Sequence, residues 1–171
     1  MKRRITFLAP VLLILAALIV TTQSSSATVK DNGPSAFGQG SFAFFNGLHT
    51  EQWGYAFEAF GNKNGQARGR ATFDILENSI QTHVEVKINC LDAGASPELA
   101  TAVMTGTVLH SDDPEFPKHA NVIFAAEDSL VPELHPDIIT RLFVFEGGDC
   151  HSGAFPLTFF EQPSNAIHIE P

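Results

Sequence analysis

Outside its first 27 residues the chain has no stretch in which apolar residues recur with the 3.6-residue period of a helix, so its elements have to be found among strands. Cysteine is scarce too, and the pair Cys90 and Cys150 allows one disulfide at most. Basic residues are few: ten Lys and Arg stand against nineteen Asp and Glu, and Lys2, Arg3 and Arg4 account for three of the ten. So acidic a balance argues against nucleic acid and against docking on anionic lipid, both of which select basic surfaces. No G-x-S-x-G elbow singles out a serine nucleophile, and no glycine loop precedes a helix where it would cradle a phosphate. There is no repeat of solenoid length and no low-complexity tract.

The N-terminal segment has a basic start, an apolar run from Ile5 to Val20 and a Ser-rich tail ending at Ala27. Those three regions in that order predict a secretory signal peptide over 1–27, with Ser25 and Ala27 as the small residues before the cut. The alternative is an uncleaved membrane anchor, since the apolar run is only slightly shorter than a spanning helix needs. Residues 28–36 are polar and turn-rich and read as a linker. Residues 37–171 then form a single β-domain, of a size that supports a core of its own.

The clearest strand is 80–91, in which Thr82, Val84, Val86, Ile88 and Cys90 alternate with Gln81, His83, Glu85, Lys87 and Asn89. A period of two with a β-branched side is the pattern of a half-buried strand, here a central one. Similar alternation predicts strands over 38–45, 53–60, 67–76, 99–110, 120–128 and 137–145. An eighth, irregular strand follows in 154–160, kinked at Pro156 and completed by 166–169. Gly38 and Gly40, on one face of the first strand, suit the closing seam of a barrel. Pro97 marks 92–98 as a loop, and Asn64–Gly65 and 77–79 are turns. The fold expected is all-β: an antiparallel barrel of about eight strands, with a β-sandwich as the alternative.

Export into an oxidising compartment makes a disulfide between Cys90 and Cys150 the first expectation for the two thiols, with two separate buried thiols as the alternative. The order of short motifs is also informative. Gly38, Gly40, Phe42 and Phe44 are followed by Phe57 and Ala59, then by Gly69, Ala71 and Phe73. Val84 to Leu91, then Ala102, Gly106 and Val108, Phe124 and Asp128, Pro136 and Asp137, and a late Cys150 complete the series. In that order the chain resembles small bacterial secreted β-domains without an assigned activity. The resemblance implies export and a β-fold, and brings no catalytic residues with it.

Two loops gather polar side chains. His110, Asp112, Asp113, Glu115 and His119 lie within ten residues, and imidazole with carboxylate is a donor set for zinc or calcium-like ions. Their spacing matches no ligand motif, so a solvated acidic loop competes with a metal site built on His110, Asp112, Asp113 and His119. Around the next loop stand Glu127, Asp128, Glu133, His135 and Asp137, where Asp128 and Asp137 are placed to share a cation or a set of backbone N–H groups. Cys150 and His151 are adjacent, so on an extended chain they point apart and make no nucleophile–base pair.

The functional expectation is an exported, non-enzymatic binding or structural module, monomeric, with ligand and partner unknown, no cofactor, and membrane contact only through an uncleaved N-terminal segment. The many phenylalanines, with Trp53 and Tyr55, support an alternative in which the barrel holds a small apolar ligand. They serve a filled core equally well. An enzyme acting through a loop His/carboxylate site is the third reading.

Overall fold

The computed structural model describes residues 33–62, 64, 66–147, 149–151 and 158–171. The expected signal peptide, residues 28–32 of the linker, and Pro156 in the last expected strand lie outside them.

The described chain forms ten strands and no helix. They are β1 (Ser35–Phe45), β2 (Thr50–Gly61), β3 (Gln66–Glu77), β4 (Ile80–Ala95), β5 (Leu99–Ser111), β6 (Asn121–Ser129), β7 (Asp137–Thr140), β8 (Phe143–Val144), β9 (Phe159–Gln162) and β10 (Ile167–Glu170). All belong to one sheet in the order β10-β1-β2-β3-β4-β5-β6-β7-β9, with β8 pairing β6 alongside β7. Every pairing is antiparallel, and the sheet curls into a half-barrel.

The alternation of the sequence sets the inner face. Trp53, Tyr55, Phe57 and Ala59 of β2, Ala71, Phe73 and Ile75 of β3, and Val84, Val86 and Ile88 of β4 are all buried. Opposite them lie Ala102, Met104 and Val108 of β5 and Phe124 of β6. The β3–β4 hairpin turns through Asn78 and Ser79, both with positive φ, as a two-residue loop matched to the sheet's twist requires. β4 runs further than 80–91: it pairs with β5 as far as Ala95, and the expected loop shrinks to Ser96–Glu98, tied by Ser96 Oγ accepting from Leu99 N–H at 3.1 Å. A register shift between Ile88 and Cys90 explains why Cys90 and Leu91, neighbours in sequence, are both buried.

Two expected strands are each divided. The run 137–145 breaks at Arg141 and Leu142 because the pairing with β6 slips by one residue, from Ala126 opposite Ile139 to Ile123 opposite Phe143. Thr140 Oγ1 spans the slip, accepting Ala125 N–H and donating to Arg141 C=O, both at 2.9 Å. The C-terminal run becomes β9 on β7 and β10 on β1, the two opposite edges of the sheet. Only residues 163–166 separate them, with Asn165 at φ 69° and Ala166 N–H bonded to Pro163 C=O. A turn that short forces the edges together. β1 also begins at Ser35, inside the expected linker, because 35–38 pair with β10.

Side chains join the edges where backbone does not. Phe42 of β1 stacks on Phe160 of β9 with centroids 4.3 Å apart, and Tyr55 Oη donates to Gln162 Oε1 at 3.0 Å. A Cβ on Gly40 would lie 2.7 Å from both partners of that bond, and one on Gly38 would lie 2.8 Å from the Phe57 ring. The two glycines therefore mark the seam, as their pattern predicts. Cys90 and Cys150 are disulfide-bonded, with Cα atoms 5.8 Å apart. The bond ties β4 to the chain beyond β8 and is compatible with an oxidising, extracytoplasmic location.

Candidate functional site at the hairpin end

The end of the half-barrel where β1 passes to β2 and β3 to β4 collects the unusual chemistry. The turn 46–49 is built by Asn46, whose Oδ1 accepts the N–H groups of Leu48 at 2.9 Å and His49 at 3.1 Å. That leaves Asn46 Nδ2 facing Glu51 Oε1 at 2.6 Å and His49 Nε2 at 2.9 Å. Glu51 follows the inward phase of Trp53, Tyr55 and Phe57, so a carboxylate stands where the strand otherwise buries apolar groups. It is 8% exposed, and its second oxygen accepts the Trp53 indole N–H at 2.9 Å. Glu77, at the close of β3, brings Oε1 into close contact with His49 Nε2.

Over this end folds the 112–119 loop. Its Phe116 is fully buried and meets Trp53 edge-on, centroids 6.1 Å apart. Burial pushes the Glu115 carboxyl above its ordinary range; Arg141 opposes the shift, and the charges of Asp113, Glu51 and Glu77 add to it. The Arg141 guanidinium lies over the Phe143 ring at 4.8 Å and near the Phe44 ring at 5.9 Å. Apolar side chains rim the same end: Phe45 and Leu48 are 68% and 87% exposed on one hairpin tip, and Ile80 is 66% exposed on the other.

The loop carboxylates singled out in the sequence hold backbone and neighbouring side chains. Asp112 accepts His83 N–H, and Asp113 accepts Thr82 Oγ1 and Glu115 N–H, each at 2.8 Å, so these carboxylates dock the loop on β4 and shape its turn. Among the described residues, His110, Asp112, Asp113 and His119 do not form a group with ligand atoms close enough to share an ion, whereas His49, Glu51 and Glu77 do, all within 4.8 Å. Asp128 and Asp137 take the backbone N–H role: Asp137 accepts from Ser129 at 3.1 Å and Ile167 at 3.0 Å, and Asp128 accepts from Ile169 at 2.9 Å. Burial, with the charge of Asp137, raises the Tyr55 hydroxyl well above its ordinary value. Glu127 is raised by burial alone.

The aromatic residues that suggested a ligand cavity meet one another. Trp53 and Phe73 are 6.1 Å apart, Phe73 and Phe124 5.3 Å, and Phe57 and Phe124 5.6 Å, all edge to face. A groove of about 840 Å³ opens instead over the outer face beside Phe37, Phe60, Gln39, Arg70 and Asn165.

The signal for the His49–Glu51–Glu77 cluster was present as a charge in the inward phase of β2. Its meeting with Glu77 has no trace in either hairpin alone, because it forms only when the two tips come together. Compared with protein-family models, with curated proteins and with solved structures, the chain finds no match.

Proposed function

We propose that this chain is an exported, non-enzymatic binding module that engages a protein partner through its hairpin end. The reading keeps the export that the N-terminal pattern and the resemblance to secreted β-domains imply, and the Cys90–Cys150 bond accords with it. The carrying observation is the pair of adjoining tips on which Phe45, Leu48 and Ile80 stand exposed. His49–Glu77 contact holds those tips side by side, so the exposed apolar side chains gather at one end of the sheet. Leu76, at the base of the second tip, and Phe159, at the start of β9, are exposed as well. Beneath lie Glu51, Glu77, Asp113 and Glu115, a carboxylate group opposed by Arg141. The matching partner is a protein surface with apolar side chains bordered by Lys or Arg. The rings packed against each other inside favour surface binding over enclosure of an apolar ligand.

A photo-crosslinking residue at position 48, in the exported protein in its own cells, tests the reading. We expect a discrete protein adduct that is lost on Ile80→Ser and absent from a control crosslinker at position 89, on the outward side of β4. Equal labelling from both positions, or an adduct indifferent to Ile80→Ser, overturns it. A self-adduct of twice the chain's mass replaces the foreign partner by a second copy. In a parallel titration with a fluorescent fatty acid, the single tryptophan, Trp53, serves as reporter. Quenching that persists in Leu48→Ser with Ile80→Ser supports the enclosed-ligand reading instead.

A further inference from the structure

We infer that His49, Glu51 and Glu77 form a binding site for a divalent transition-metal ion of the zinc class. The inference concerns the polar floor of the hairpin end, whose His49–Glu77 contact and Glu51 and Glu77 carboxylates the partner reading also uses, and ion binding tests it with no partner present.

The three side chains come from two different hairpins and still converge: one imidazole nitrogen and two carboxylate oxygens, all within 4.8 Å of one another. His49 Nε2 is 4.0 Å from Glu51 Oε1 and in closer contact with Glu77 Oε1. Ligand atoms bound at about 2.0 to 2.2 Å around a tetrahedral ion lie a little over 3 Å apart, so small side-chain adjustments bring this set onto one centre.

A second observation points to a cation, and it concerns hydrogen-bond roles. The Asn46 amide is oriented by the two backbone N–H groups on its oxygen, so a donor, Nδ2, faces His49 Nε2. To accept from it, Nε2 must be without a proton. Yet the same nitrogen also faces the Glu77 carboxylate, which needs a donor. One lone pair cannot meet both demands. A metal ion resolves the conflict: it takes the lone pair of Nε2 and the charge of Glu77 and Glu51 together, and Asn46 Nδ2 keeps Glu51 as its acceptor. The Trp53 indole N–H on the other Glu51 oxygen orients that ligand, the kind of support that surrounds metal-bound carboxylates.

The donor set selects the ion. Calcium and magnesium take oxygen ligands, and imidazole adds little to their binding. Nitrogen with two carboxylates suits zinc and its first-row neighbours. The other convergent group, Cys90, Asp149, Cys150 and His151, has both sulfurs committed to the disulfide and offers no thiolate. With three protein ligands the ion keeps a coordination position open.

The test is calorimetric titration of the chelator-treated, oxidised full chain with zinc chloride and, separately, calcium chloride. We expect one zinc per chain, calcium binding far weaker, and a change in Trp53 fluorescence, because the indole is bonded to a proposed ligand. His49→Ala and Glu77→Gln should each weaken zinc binding by roughly tenfold or more. His110→Ala with Asp112→Asn should leave it unchanged. Circular dichroism of each variant distinguishes lost ligation from lost folding, and His49→Gln, a milder change, replaces any variant that fails to fold. No zinc binding, binding that survives His49→Ala and His49→Gln, or equal affinity for calcium overturns the assignment.

Discussion

The carboxylate of Asp137 is 1% exposed and holds two backbone N–H groups, Ser129 through Oδ1 and Ile167 through Oδ2. Removing it leaves both donors buried without a partner, and each such donor costs about 1 to 3 kcal/mol. We therefore expect Asp137→Ala to lower the unfolding free energy by about 3 kcal/mol, with Asp137→Asn milder because the amide oxygen retains an acceptor. Urea unfolding followed by Trp53 fluorescence measures both, and Asp92→Ala, at a half-exposed site on the long β4 strand, serves as the control with a change below about 0.5 kcal/mol. At this scale the sequence was partly readable. Asp128 and Asp137 stand out as residues placed to share a cation or a set of backbone N–H groups, and the second of these is the role they have. That two of the three N–H groups, those of Ile167 and Ile169, belong to β10, thirty and more residues away, was not readable, because those contacts exist only once the sheet has curled. His49, Glu51 and Glu77 were missed for the same reason.

β10 is the element that turns a curled sheet into one with a closed seam. It pairs with β1 over Ser35–Gly38 and gives backbone N–H groups to Asp128 of β6 and Asp137 of β7, so it is held by both sides. Without it the first residues of β1 present unpaired N–H and C=O groups, the open edge that invites pairing with another chain. A chain ending at Gln162 should lose several kcal/mol of stability, since the buried Ile167 and Ile169 go with the strand. It should also form dimers or larger species at concentrations where the full chain does not, and size-exclusion chromatography with light scattering reads this directly. A monomeric truncated chain of unchanged urea midpoint would show that β10 does not hold the seam. Strands with strict alternation, such as β2, β3 and the first part of β4, were legible residue by residue because each buries one face only. β6 is buried from Val122 to Ala126, and β7 and β8 are divided by a one-residue slip that no periodicity announces. The glycines were the exception among irregular features: Gly38 and Gly40 disclosed the seam because only a missing side chain admits Phe57 and the Tyr55–Gln162 bond.

Across the whole molecule the sheet joins strands mostly to their sequence neighbours, and two long-range ties complete it: the β9–β10 seam and the Cys90–Cys150 bond. The two act in different places. The seam closes the hairpin sheet on itself, whereas the disulfide anchors the chain after β8 to the middle of β4, where Cys150 N–H also bonds Cys90 Sγ at 3.2 Å. With the cysteines 60 positions apart, cross-linking reduces the freedom of the unfolded chain by an amount worth roughly 4 kcal/mol. That estimate predicts what reduction does. The reduced chain, or Cys90→Ala with Cys150→Ala, should keep its strand content and its core around Trp53, yet unfold at a clearly lower urea concentration. Paired urea titrations with and without reductant, each followed by far-ultraviolet circular dichroism and Trp53 fluorescence, provide the measurement. A shift equivalent to less than about 1 kcal/mol would mean that the reduced unfolded chain is already almost as restricted as the cross-linked one, and the bond would then matter for the placement of the segment it tethers. A shift near the full estimate would make folding dependent on an oxidising compartment, and the chain's stability would itself become evidence for export.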